Sequence, residues 1–247
     1  AHLFYHILSR YGRIYVIFYW GKGMKIGIII AIARELKSFL ESDFIIEIIE
    51  KNGREIYKTT VNGNEVFAVK SGYGEIDAAA ATQLLITGFD CEVILNFGVT
   101  GALDRTSKVD DLFVVTKAIN HDYDVSPIDP VKPHQYEEFS DEFIPMDQGL
   151  IDFAKSLYPN LRDAVVASGD RFVVLSEDKM ALASLGCNIC DMEIAAIARI
   201  SYLNGVRALS IKCISDTFDG DGGDFNENVT KSANKAFKLM EDILQKI

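Results

Sequence analysis

The chain has 247 residues, 49% of them hydrophobic, and a formal net charge of -11. That length and apolar share suffice for one substantial core, and no Pro- or Ser-rich linker divides it. The acidity argues against a nucleic-acid backbone or an anionic membrane as partner, because both select for basic patches.

In chain order, residues 1–23 differ from the rest. Residues 11–20 are dense in aromatic and β-branched side chains, whereas Met24-Lys25-Ile26-Gly27 looks like a natural protein start. The apolar run is too short to span a bilayer and lacks a small-residue cleavage site. Residues 1–23 are therefore expected to be an extension outside the main fold, with the domain at 24–247.

Residues 25–32 form a continuous apolar run and are predicted as a buried strand. A helix over 33–40 follows, placing Glu35 just past the strand end. Extended segments are expected at 44–50, 54–60 and 65–70, the last two joined by an Asn62-Gly63 hairpin turn. Ser71-Gly72-Tyr73-Gly74 leads into an Ala-rich helix over 76–87. Next come a strand at 92–97, a Gly98-Val99-Thr100-Gly101 loop, a strand at 112–118 and a long polar loop over 120–147. A helix at 148–157, a strand at 164–168, an amphipathic helix at 192–203 and a strand at 207–214 follow. Phe225, Val229, Ala233, Phe237, Met240 and Leu244 recur at three- and four-residue spacing and mark a closing helix. The pattern predicts a single-domain, three-layer α/β fold, with a central mixed sheet, helices outside and a ligand site at the strand ends.

Of the four cysteines, Cys91 and Cys213 fall in or beside apolar strands, where a free thiol packs as a small hydrophobe. Cys187 and Cys190 form a CxxC, but no second CxxC or CxxH completes a zinc site. No metal or organic cofactor is expected. Reduced structural thiols in a cytoplasmic protein are the better reading.

Asp216 ends the strand run of Leu209, Ile211 and Ile214; partial burial there would raise its pKa and keep a proton for donation. A helix or turn cap is the alternative. Glu193 opens a helix after Cys190-Asp191, as dipole-favoured acids often do, but it is the one charge on an apolar face and needs a partner. Glu35 is either a site acid or a solvated helix residue beside Arg34 and Lys37. The two Gly-containing loops match neither GxGxxG nor a P-loop, and His121-Asp122 is either a catalytic pair or part of a polar loop. An acid that holds ribose hydroxyls and another that protonates a base would suit cleavage of a sugar–base bond.

The chain resembles the nucleoside phosphorylase superfamily, and within it the bacterial 5′-methylthioadenosine/S-adenosylhomocysteine nucleosidases. The resemblance runs from Met24 to the C-terminus, through Met24-Lys25-Ile26-Gly27-Ile28-Ile29, Ser71-Gly72-Tyr73-Gly74, Asn96-Phe97-Gly98-Val99-Thr100-Gly101, Ser168-Gly169-Asp170-Arg171-Phe172-Val173, Asp191-Met192-Glu193 and Ser215-Asp216. It implies that Asp216 protonates adenine N7 with Ser215 orienting it, and that Glu193 holds the ribose hydroxyls with Met192 under the sugar. Phe172 would stack on adenine and the Val173 backbone read its edge. Glu35 would activate water, helped by Ser71, and Phe225 would face the 5′ substituent, allowing a one-residue gap. Lys212 stands where the nucleosidases usually carry arginine, Arg171 where they carry a small residue, and the loop from 122 to 143 departs from their pattern. A small-molecule nucleoside as substrate, and a homodimer whose neighbour closes the 5′ pocket, are also implied.

Phosphorylases of this superfamily carry an arginine at the position of Asn96 and a hydroxyl residue at that of Val99. A phosphate dianion needs fixed donors and positive charge, which neither side chain supplies, so water is the expected nucleophile. A phosphate-dependent purine nucleoside phosphorylase and a catalytically silent nucleoside-binding protein are the alternatives.

Overall fold

The computed structural model describes residues 4–10, 13–19, 23–220 and 222–247. Strands β1 (Phe4–Arg10) and β2 (Arg13–Tyr19) pair antiparallel in a sheet of their own. The rest of the expected extension, up to residue 22, lies outside the described residues. The apolar run after Met24 becomes β3 (Lys25–Ile30), whose isoleucines are all buried, as a strand covered on both faces requires. After α1 (Ala33–Leu40) come β4 (Glu47–Lys51), β5 (Arg54–Val61) and β6 (Asn64–Lys70). Asn62 and Gly63 take φ of 50° and 82°, the positive pair of a two-residue hairpin turn that the sequence announces.

The chain continues through α2 (Glu75–Phe89), β7 (Val93–Ala102), β8 (Leu112–Asn120), β9 (Ile144–Pro145), α3 (Gln148–Leu157) and β10 (Arg162–Ser168). It closes with α4 (Ser176–Ser184), β11 (Ile189–Asp191), α5 (Ile194–Leu203), β12 (Arg207–Asp216) and α6 (Gly222–Leu244). The main sheet has the order β11-β10-β8-β12-β7-β3-β6-β5-β4, with β9 alongside β8. Strands β6, β3, β7 and β12 run parallel, so their C-terminal ends share one edge. Helices α1 and α6 pack near β7, and α2 and α5 cover the sheet elsewhere, giving the expected mixed sheet flanked by helices.

One feature of the sheet departs from expectation. β11 pairs antiparallel with β7, through Ile189↔Ala102 and Cys190↔Gly101, so β7, β12, β8, β10 and β11 close into a ring. Residues 98–101, expected as a glycine loop, are therefore strand. Their backbone is held on one side by β12 and partly on the other by β11, and this pairing overrides the weak strand propensity of glycine.

The stripe on α6 is buried as its spacing predicts: Val229, Ala233, Phe237, Met240 and Leu244 all face the core. Each large apolar side chain there contributes about 1.5–3 kcal/mol on burial. Phe237 meets Phe97 and Phe39 at ring-centroid distances of 5.2 and 5.9 Å, which locks α6 to β7 and α1. The packing matters for function because β7, α1 and α6 all supply walls of the cleft described next.

Candidate active site

The shared strand edge opens into a cleft with about 570 Å³ of empty space, part of it open to solvent. Ala31, Ile32 and Glu35 enter from the β3–α1 junction, and Val99, Thr100 and Gly101 from β7. Arg171, Phe172 and Val173 follow β10, residues 190–193 bridge β11 and α5, and Ser215 and Asp216 end β12. Tyr73 and Phe225 complete the lining.

Glu35 is 3% exposed although its neighbours Arg34 and Lys37 face solvent, which removes the solvated-helix reading. Its Oε2 accepts the Ile32 N–H at 3.2 Å, capping its own helix, and its Oε1 accepts the Val99 N–H at 2.8 Å. Burial raises its pKa above the ordinary carboxylate range; the Lys212 charge and the backbone N–H donors oppose the rise. A Cβ on Gly98 would lie 2.4 Å from Glu35 Oε1, so the carboxylate reaches β7 only because that residue is glycine.

Asp216 is 4% exposed and does not cap a helix, since α6 begins only at Gly222. Ser215 Oγ donates to Asp216 Oδ1 at 2.8 Å. Burial raises the Asp216 pKa, opposed by the Ser215 hydrogen bond and the Lys179 charge and assisted by Asp224. Gly101 plays the same steric part here as Gly98 does for Glu35: its missing Cβ would stand 2.8 Å from Asp216 Oδ2. A carboxyl buried beside apolar wall residues keeps its proton to higher pH than an exposed one, which suits a donor.

Glu193 is 6% exposed, and its Oε1 accepts the Gly74 N–H at 3.1 Å. Burial, and then the Asp191 charge, push its pKa up to about 8, with Lys212 opposing. Glu193 is thus not the isolated charge the sequence suggests. It belongs to a buried group in which Lys212 Nζ pairs with Asp191 Oδ2 at 2.8 Å. Burial lowers the Lys212 pKa, but the fields of Asp191, Glu193 and Glu35 outweigh that and leave it raised. Asp191 is held from its other oxygen by Ser168 Oγ at 2.5 Å.

Eight of the ten residues singled out from sequence line this cleft: Glu35, Phe172, Val173, Met192, Glu193, Ser215, Asp216 and Phe225. Ser71 and Lys212 do not. Ser71 is buried and its hydroxyl donates to the Gly72 carbonyl at 2.9 Å, within its own loop. Lys212 lies behind the wall, engaged with Asp191. Phe172, 46% exposed at the mouth, meets Phe225 edge-on at 5.3 Å, and Arg34 sits 5.7 Å from the Phe225 ring centroid. His121 and Asp122 approach at 3.1 Å but stand outside the lining. Sequence reasoning passed over the part played by Asp191; the one available signal was that a lysine inside an apolar strand needs a buried counter-ion.

The family model of the phosphorylase superfamily matches residues 25–246. The chain is 31% identical over 232 residues to the aminodeoxyfutalosine nucleosidase of Helicobacter pylori strain J99, covering 90% of this chain and 99% of that protein. Among solved structures, the 5′-methylthioadenosine/S-adenosyl homocysteine nucleosidase of Helicobacter pylori superposes with a TM-score of 0.87 at 29% identity, covering 92% of this chain and 100% of the other. The futalosine hydrolase of Helicobacter pylori strain 26695 does so with a TM-score of 0.85 at 28% identity, covering 91% and 98%.

Proposed function

The chain belongs to the phosphorylase superfamily, and we propose that it is a nucleosidase, hydrolysing the N-glycosidic bond of a 5′-substituted adenosine to release adenine. The observation that carries this is the convergence of three buried carboxyl groups, Glu35, Glu193 and Asp216, on one cleft at the strand ends. The nucleosidase names of the relatives support it.

In the proposed reaction Asp216 gives its proton to adenine N7, so that the base leaves neutral while the sugar becomes oxocarbenium-like. Proton donation of this kind contributes about 10²–10⁴-fold. Glu193 holds the ribose hydroxyls over Met192, and the carboxylate of Glu35 favours the cation as it forms. Glu35, with its raised proton affinity, is a competent base toward the attacking water. Phe172 and Val173 receive the adenine, and Phe225 faces the 5′ group.

Water is the proposed nucleophile, not phosphate. The Asn96 side chain is engaged at both ends, donating to the Ile29 carbonyl at 3.0 Å and accepting from Ser210 Oγ at 2.7 Å. The Val99 side chain offers no donor, and its N–H is taken by Glu35 at 2.8 Å. Of the nearby cations, Lys212 is paired with Asp191 and Arg171 with Asp178.

Methylthioadenosine, S-adenosylhomocysteine and aminodeoxyfutalosine fit the reading as 5′-substituted adenosines. A homodimer, a cytoplasmic location and a domain boundary at residue 24 belong to the same proposal. The family match beginning at residue 25 supports the boundary. Among the described residues no helix is long and apolar enough to cross a membrane. The test is adenine release from each of the three nucleosides in phosphate-free buffer, with and without added phosphate. Release at one rate in both buffers, with a free sugar as co-product, is expected; a strict phosphate requirement would overturn the hydrolytic assignment.

A further inference from the structure

Lys179 on α4 is only 1% exposed, and among the described residues no carboxylate lies within ion-pair distance of it. Its Nζ instead meets three backbone carbonyl oxygens: Thr217 at 2.8 Å, Phe218 at 3.2 Å and Gly220 at 3.3 Å. Three acceptors match the three N–H donors of a charged ammonium; a neutral amine could serve only two. Burying a cation against carbonyl dipoles alone is costly, so the arrangement calls for a reason beyond packing.

The three carbonyls belong to one turn, closed by the Gly220 N–H donating to the Thr217 carbonyl at 3.1 Å. That turn begins directly after Asp216. Its outer side is held by Arg105, which pairs with Asp219 and lies 4.4 Å from the centroid of the buried Phe218 ring. The inner side is held by Lys179. α4 meets the cleft wall at two other points, Asp178 pairing with Arg171 at 3.5 Å and Leu182 packing in one cluster with Val173 and Cys190, but Lys179 is its contact with the turn that follows Asp216.

We propose that Lys179 is a positioning residue for the acid step: its ammonium gathers the turn at 217–220 and thereby holds the Asp216 carboxyl against the cleft wall. This rests on the reading of Asp216 as proton donor. The lysine charge also lowers the proton affinity that burial gives Asp216, so it sets when the acid is charged as well as where it stands.

The test compares wild type, Lys179→Met and Lys179→Arg in adenine release across pH, with folding checked by circular dichroism. Lys179→Met is expected to lower kcat about 10- to 100-fold, the cost of misplacing a reacting group by about an ångström, with KM changing far less. Its alkaline limb in kcat/KM moves to higher pH, because the charge that eased Asp216 ionisation is gone. Lys179→Arg keeps the charge, holds the limb at the wild-type position and recovers much of the lost kcat. Should Lys179→Met not fold, Lys179→Gln serves with the same expectation. A methionine or glutamine variant with wild-type kcat and an unmoved limb would overturn the proposal, as would equal losses in the arginine variant with the limb in place. If the wild type itself releases no adenine, the functional reading falls and this one with it; if only the variants disappoint, this one falls alone.

Discussion

Gly98→Ala offers a test in which catalysis and stability are expected to part. The added Cβ would meet Glu35 Oε1 at 2.4 Å and its Cδ at 3.0 Å, whereas ordinary contact begins at 3.4 Å. The carboxylate must therefore retreat by about 1 Å (3.4 less 2.4). It is the end of a flexible side chain and Gly98 has no left-handed φ, so the backbone of β7 stays in place. Alanine is also a better strand residue than glycine, by roughly 0.5–1 kcal/mol. The hydrogen bond from the Val99 N–H at 2.8 Å is lost or bent, and with it the alignment of Glu35 toward water. A displacement of that size costs about 10²-fold in turnover, or about 2.7 kcal/mol of barrier. The assay is steady-state adenine release beside a thermal melt. We expect kcat to fall about 100-fold with the melting temperature unchanged or slightly raised. Wild-type kcat in a folded Gly98→Ala protein would refute the role of Glu35; an equal loss of stability would refute the packing argument.

Two further outcomes follow from the buried charges. Glu193 keeps its proton in the folded state up to about pH 8 but releases it near 4.5 when unfolded, so its contribution to stability is fully present below 4.5 and lost as pH rises toward 8. Glu193→Gln, which stays neutral, is expected to lose less melting temperature between pH 5 and pH 8 than the wild type does; parallel curves for the two proteins would count against the shift. Lys212→Met leaves Asp191 buried without its cation and should destabilise the fold by about 3–5 kcal/mol, on the order of 10 °C in melting temperature. Lys212→Arg, which keeps the charge, should lose much less, and a methionine variant that melts like the wild type would show that Lys212 is not what holds Asp191.

Much of the fold was legible because its signals are local. The isoleucine run of β3, the Asn62-Gly63 turn and the three-and-four spacing on α6 each encode an element within a few residues, and the structure has each where the sequence places it. Three elements of the main fold, α4, β11 and the two-residue β9 inside the expected loop over 120–147, were not legible. The apolar residues of α4 form no regular stripe, and β11 is three residues long and exists by virtue of its partners β10 and β7.

The candidate site divides along the same line. Glu35, Glu193 and Asp216 stand at the ends of strongly patterned elements, which made them candidates beside plainer readings as caps or solvated helix residues, and the resemblance to the nucleoside phosphorylase superfamily gave them roles. Which side of the wall a residue occupies was not legible. Ser71 turns into its own loop and Lys212 turns to Asp191, because each answers a hydrogen-bonding demand set by residues distant in sequence or by local backbone geometry. Sequence by itself determined the order of the longer strands and most helices and the acids at their ends, since hydrophobic periodicity and turn chemistry act over a few residues. Only the tertiary structure decided the closing of β11 onto β7, the extension of β7 through Gly98 and Gly101, and the pairing that removes Lys212 from the cleft. Those depend on contacts between segments far apart in the chain, where burial makes each unpaired charge and backbone group find a partner.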